Sequence, residues 1–388
     1  MSAPAAQTAD REVELVLKRP RSSILLLESK FGLGGSERIT YDVVRRLDVQ
    51  RYRPVLCTLY EPGEVGEWFI RDGYRFYSRL ITHRYDPRAF GKLRSIIQRE
   101  HVELVFLINQ PLTCFWGFIM SKYCRIPVVA AVHDKFIGEQ SLKLRLNRFL
   151  MNRMDVILAV AQGQRDQLVT RQYIREDIVR VVYNGIDLDH FKPRVEREEQ
   201  CRLLGLNSKA PIVGTVARLV HLKGVDVFLK AAEAVLKKFP STQFVVVGDG
   251  PESHELKRMS QALGIASSVR FLGSRGDVAD TARVFNVGVL SSRTEALPMA
   301  ILEYMSLSVP VVATNVGGVS EMVGHGETGL LISEDDPSAL AGALEVLLSD
   351  PHKARKMGLR GRAKVESCFQ ISNTVSRTEQ LFEKLLRR

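Results

Sequence analysis

Short apolar runs alternate with stretches of helical periodicity along most of the chain. Runs at Ser23–Glu28, Pro54–Tyr60, Leu104–Ile108, Val128–Val132, Val156–Val160 and Val179–Val182 read as strands. So do Ile212–Ala217, Phe244–Gly248, Val269–Gly273, Val287–Leu290 and Val309–Thr314. Strands spaced by helical segments are the signature of parallel α/β sheets. The stretch between about 190 and 208 breaks the pattern, being polar, charged and marked by Pro193. It reads as a linker between two such sheets.

The most informative unit is Ser291–Gly318. A strand runs into the polar loop Ser291-Ser292-Arg293-Thr294-Glu295, and a helix is expected to start at Pro298, since proline suits the first helical position. A second apolar run and Gly317-Gly318 follow. Strand ends and a helix amino terminus together favour an anion. Yet Glu295 sits in that loop and Glu303 on the second helical turn. Carboxylates would repel a phosphate, so they fit better as acceptors for hydroxyls on either side of it. A phosphate flanked by two polyols is a nucleotide sugar.

A length of 388 residues favours two domains, and 26% charged with 45% apolar residues is ordinary for a globular protein. The five cysteines, Cys57, Cys114, Cys124, Cys201 and Cys368, are scattered without metal spacing and read as reduced thiols of a cytosolic protein. Met1–Arg21 lacks an apolar signal core and reads as a loose extension. Leu104–Met120 is uncharged, but Asn109-Gln110-Pro111 interrupts it, so strand, loop and helix are expected there rather than a membrane span. The net charge of +11 points to polyanionic partners. With no zinc spacing, aromatic RNA-binding motif or basic heptads, nucleic acid is not expected, which leaves an anionic membrane surface. Ser141–Met154 suits that role, with an apolar set at Leu142, Leu146, Phe149 and Leu150, cations at Lys143, Arg145, Arg148 and Arg153, and no acid.

Other candidate chemistry lies at strand ends. Phe31-Gly32-Leu33-Gly34-Gly35-Ser36-Glu37 follows the first strand, and its glycines would let the backbone approach a phosphate. Glu37 stands where a dinucleotide fingerprint wants glycine, while Glu61 follows the second strand, so a dehydrogenase reading is weakened but open. His133 lies just past a strand end. Arg218 and Lys223 leave another, five residues apart, and two cations converging there can neutralise a diphosphate without metal. Asp187-Leu188-Asp189 spells D-x-D, a metal-binding pattern in other folds, but here it lies in a connection between domains.

Taken in order, Gly34-Gly35-x-Glu37, His133, Asn184-Gly185-Ile186-Asp187, Arg218-x4-Lys223, Gly248-Asp249-Gly250-Pro251-Glu252 and Glu295-x7-Glu303 resemble the motifs of family 4 glycosyltransferases over roughly residues 22–385. The resemblance implies the GT-B fold, two Rossmann-like parallel α/β domains facing a central cleft. It implies an acceptor domain at 22–190, a nucleotide-sugar domain at 191–371, and a last helix near 372–388 packing back on the first. It implies retaining transfer from a nucleoside diphosphate sugar, UDP before GDP, to a lipid-linked or saccharide acceptor, with no metal or other cofactor. The place would be the cytoplasm, at the inner face of the membrane.

The roles carried over are these. Glu295 and His133 contact the sugar. Arg218, Lys223, Gly34, Gly35 and the amides near Ala296, Leu297, Met299 and Ala300 hold the diphosphate. Glu303 holds the ribose, and the turn at Arg275 the base. One position departs from the pattern, since Ala296 stands where relatives usually have glycine. The competing readings are an epimerase or hydrolase on the same scaffold, and a non-catalytic module binding a sugar nucleotide or NAD.

Overall fold

The computed structural model describes residues 21–108, 111–133 and 142–387. Nearly all of the Met1–Arg21 extension, Asn109-Gln110, Asp134 and Ser141 therefore lie outside the described residues, as do the side chains of Leu142 and Lys143. By its contacts the chain divides into two compact units. One holds the chain up to Val132, again up to Leu158, and the stretch from Arg377; the other holds His133 and Ala159–Ser376. The segment 159–190, expected with the first domain, falls in the second unit.

The first sheet consists of β1 (Ser22–Glu28), β2 (Tyr52–Thr58), β3 (Arg75–Tyr77), β4 (Val102–Ile108), β5 (Val128–Val132), β6 (Val156–Ala159) and β7 (Val179–Val181). The strand order is β3-β2-β1-β4-β5-β6-β7. β1 runs parallel to both neighbours, with Leu25 opposite Val55 on one side and Val105 on the other. The glycine loop leads from β1 into the helix Gly35–Val44, which stops short of the expected Asp48 in a turn. The last helix, Ile371–Leu386, sets Phe382 edge-on against Tyr52 and Phe106, while Glu379 accepts the amide of Asp48 at 2.7 Å.

The second sheet consists of β8 (Ile212–Val216), β9 (Gln243–Val247), β10 (Val269–Gly273), β11 (Val287–Leu290), β12 (Val311–Thr314) and β13 (Gly329–Ile332). All its ladders are parallel, in the order β10-β9-β8-β11-β12-β13. Its strands read as unbroken apolar runs because both faces are covered. Phe244 and Val246 face a core that includes Phe228 and Leu344 of the helices Val225–Leu236 and Pro337–Ser349. Val245 and Val247 face the opposite core with Ile301 and Met305 of the helix Met299–Ser306. Burying each such side chain contributes about 1.5–3 kcal/mol.

Strand glycines mark where rings come closest. A Cβ on Gly288 would lie 2.6 Å from the Tyr304 ring, and one on Gly214 2.2 Å from Phe285. Tyr304, fully buried, takes the Val216 amide on its hydroxyl at 2.6 Å and so ties the helix Met299–Ser306 to the end of β8.

Two expectations need correction, and one segment has a finer pattern than expected. Pro298 is the cap before the helix and not its first residue: its ψ of 119° is extended, and the helix begins at Met299. The linker contains a helix, Arg197–Leu203, because Gln200 and Cys201 pack inward and Asp280 accepts the amides of Arg194 and Val195. In the helix Leu142–Met151 the described members of the apolar set part ways. Asn147, Leu150 and Met151 face inward, while Leu146 and Phe149 are 45% and 50% exposed.

Candidate active site

In the second sheet the chain order reverses between β8 and β11, the kind of switch point at whose carboxyl edge ligands bind. Of the residues expected to bind the donor, Arg218, Lys223 and the stretch Glu295–Glu303 follow β8 and β11 on that side. Arg218 follows β8, is exposed, and has no ion-pair partner among the described residues. A single helical turn, His221–Lys223, then presents Lys223, and Gly224 opens the next helix in the left-handed region at φ 59°. A Cβ at Gly224 would stand 2.0 Å from the Ser291 carbonyl oxygen, so only glycine lets the β8 loop lie against the β11 loop.

The loop after β11 carries Glu295, 8% exposed. Lys223 Nζ lies 2.7 Å from Glu295 Oε1, and Ser292 Oγ donates to the same oxygen at 2.7 Å. Glu295 Oε2 has no partner among the described residues. An ammonium carries three donors, so Lys223 keeps two beyond the one directed at Glu295. The structure thus joins two residues to which the sequence gave separate duties.

Ala296 and Leu297 are buried, Met299, Ala300 and Glu303 half-buried. The Gly318 amide donates to the Ala296 carbonyl at 2.9 Å. Gly317 adopts φ 58°, where a Cβ would meet the Glu295 carbonyl oxygen at 1.9 Å. The glycine pair after β12 therefore pins the backbone of Glu295 and Ala296 at the amino end of the helix. Free amides there, with the helix dipole, form an anion site.

Arg275 is engaged elsewhere. Its Nε and Nη2 donate to Asp277 at 2.8 and 2.6 Å, and Nε also to Thr281 Oγ1 at 3.2 Å. That fork raises the guanidinium pKa and commits the side chain to Asp277 and Thr281. His133 presents a buried Nδ1 without a hydrogen-bond partner. Loss of hydration pushes its pKa down to about 4, so the imidazole is neutral at neutral pH.

In the first unit Gly34 caps the helix Gly35–Val44, and Glu37 lies so close that its carboxylate oxygen would be 2.1 Å from a Gly34 Cβ. The chain's own acid thus occupies the start of this helix, where the sequence suggested a diphosphate. In the D-x-D stretch, Asp187 Oδ1 accepts the amides of Asp189 and His190 at 3.0 and 3.2 Å, and Asp189 pairs with Lys192. Among the described residues no group of three or more metal-ligating side chains gathers at one point.

Sequence reasoning named Ser292, Arg293 and Gly317 in the motif stretch without giving them a role, and missed Asp226. The positive-φ glycines were legible as turn residues, but the Arg293–Asp226 pair joins positions 67 apart, and no local spacing announces it.

The model of glycosyl transferases group 1 matches residues 196–364, and that of glycosyltransferase family 4 matches 33–190. The chain belongs to the GT-B glycosyltransferases. It is 31% identical over 249 residues to the lipopolysaccharide core biosynthesis mannosyltransferase LpsB of Rhizobium meliloti, covering 62% of this chain and 69% of that protein. To the GDP-mannose-dependent alpha-(1-6)-phosphatidylinositol monomannoside mannosyltransferase of Mycolicibacterium smegmatis it is 28% identical over 325 residues, 79% of this chain and 84% of the other. Its fold matches Anabaena Alr3699/HepE in complex with UDP-glucose at a TM-score of 0.83, with 22% identity over 94% of this chain and all of that one.

Proposed function

We propose that the protein transfers a hexosyl group from a nucleoside diphosphate sugar, with retention at the anomeric carbon and without a metal, to a lipid-linked or saccharide acceptor. The observation that carries this reading is the Lys223–Glu295 pair beside Arg218, at the amino end of the helix Met299–Ser306. Arg218, Lys223 and the helix amides stabilise the leaving diphosphate, a preorganised electrostatic role that a divalent ion fills elsewhere. Glu295 Oε2 accepts a sugar hydroxyl and Glu303 the ribose. His133, neutral, hydrogen-bonds the sugar. UDP is the preferred base, in keeping with the HepE complex, and the GDP-mannose-dependent relative makes GDP the control.

The names of the two mannosyltransferases support a glycolipid or surface-polysaccharide acceptor. An anionic membrane surface is proposed as a further partner, through exposed Leu146 and Phe149 among Arg145, Arg148 and Arg153, the last stacked on the Phe149 ring at 3.5 Å. No described helix is long and apolar enough to cross a membrane.

The test is incubation with UDP- and GDP-sugars in EDTA, with and without saccharide and lipid-linked acceptors, and the product's anomeric configuration read by NMR. An acceptor glycoside with the donor's configuration is expected. Inversion, an absolute need for manganese, or an epimerised or hydrolysed donor regardless of acceptor would overturn the reading.

A further inference from the structure

Arg293 stands in the loop that carries Glu295, and its side chain is committed to neighbouring protein groups and only 16% exposed. Its Nη1 donates to the His221 carbonyl at 2.6 Å and to Asp226 Oδ1 at 2.9 Å, and Nη2 to Asp226 Oδ2 at 2.8 Å. Its Nε pairs with Asp335 at 2.7 Å, and its own amide donates to the Leu222 carbonyl at 2.9 Å. One residue thus holds together the loops after β8, β11 and β13. Burial alone would raise the Asp226 pKa; the guanidinium outweighs it and the carboxyl lies below its usual range.

What this clasp encloses is the backbone of Lys223. Arg293 binds at positions 221, 222 and 226, and Ser291 Oγ donates to the Lys223 carbonyl at 3.2 Å. A lysine stem is flexible, so the position of its ammonium depends on how firmly its backbone is held. We propose that Arg293 is a positioning residue for the transfer, setting the Lys223 ammonium between Glu295 and the donor diphosphate by clasping the β8 loop to the β11 loop. The inference rests on the donor-site reading above.

A double-mutant cycle tests it in the full chain, with Kd for UDP measured by calorimetry (GDP if that is the diphosphate the wild type binds) alongside thermal unfolding. Arg293→Ala should weaken binding about as much as Lys223→Ala, on the order of tenfold or more for a charge-assisted contact. The double variant should bind no more weakly than Lys223→Ala alone, because no ammonium is left to position. Arg293→Lys cannot span the two carboxylates and should also lose most of the binding. Asp335→Asn touches only the exposed arm of the clasp, and should raise Kd several-fold at unchanged unfolding temperature. Additive losses in the double variant, or wild-type Kd in Arg293→Lys and Asp335→Asn while Lys223→Ala is impaired, would overturn the positioning role alone. Wild-type binding by Lys223→Ala would overturn the donor-site reading and this inference together.

Discussion

At the scale of single residues, the site divides its cations into one that is structurally committed and one that is not. Lys223 is paired with a buried carboxylate; Arg218 is exposed and unpaired among the described residues. Removing one partner of a buried pair strands the other charge, whereas removing an exposed cation does not. Arg218→Ala should therefore keep the unfolding free energy within about 0.5 kcal/mol of wild type. It should lose roughly 2–3 kcal/mol of diphosphate binding, read as a raised donor KM and a lower kcat. Lys223→Ala should lose both binding and stability. Denaturant titration beside donor kinetics checks the pair, and unchanged donor kinetics in both variants would remove the diphosphate assignment.

His133 adds a pH signature. Its native imidazole resists protonation until about pH 4, against about 6.5 in the unfolded chain. The stability it contributes is thus present above pH 6.5 and lost as pH falls toward 4, up to about 3 kcal/mol. His133→Gln should flatten the stability curve in that window, and an unchanged slope would contradict the buried, neutral assignment. Of these residues, Arg218, Lys223, Glu295 and Glu303 were legible because their spacing in the sequence is local. Arg293 was not, since its meaning lies in carboxylates brought to it from other loops.

Elements were legible where they are central and covered. Val128–Val132, Val269–Gly273 and Val287–Leu290 have the bounds that the apolar runs suggest, and other runs miss by one or two residues at one or both ends. β3 and β13 escaped notice: both end a sheet, β3 is three residues long, and neither is deeply buried throughout. Helix faces were harder, because an apolar periodicity does not say which neighbour it meets. In the helix Leu142–Met151 the inward side includes Asn147, and of the apolar set Leu150 turns inward while Leu146 and Phe149 point to water beside arginines.

An apolar tip ringed by cations suits an anionic bilayer, each basic residue near the surface contributing about 1 kcal/mol. Leu146→Glu/Phe149→Glu should abolish co-sedimentation with anionic liposomes at low salt and leave stability nearly unchanged, since neither side chain is in the core. Arg145→Glu/Arg148→Glu should weaken binding in a salt-dependent way. Recovery of the wild type in the supernatant with neutral and anionic vesicles alike, at any salt, would refute membrane contact.

On the scale of the whole molecule, two parallel sheets with helices on their faces follow from the alternation of apolar runs, and the switch point of the second is where the proposed donor site lies. A net charge of +11 leaves the chain electropositive toward phosphate-bearing ligands in general, so charge alone does not choose a donor. In the proposed reading the choice falls to Arg218, Lys223, Glu295 and the helix amides.

The most direct test of that claim is thermal unfolding of the full chain in EDTA against UDP-, GDP- and ADP-sugars, with Arg218→Ala in parallel. A ligand at a hundred times its Kd stabilises the folded state by about 2.7 kcal/mol, a shift of several degrees. The account predicts such a saturable shift with UDP- or GDP-sugars in the wild type, much reduced in Arg218→Ala. No shift with any sugar nucleotide at millimolar concentration, or an equal shift in the variant, would contradict it.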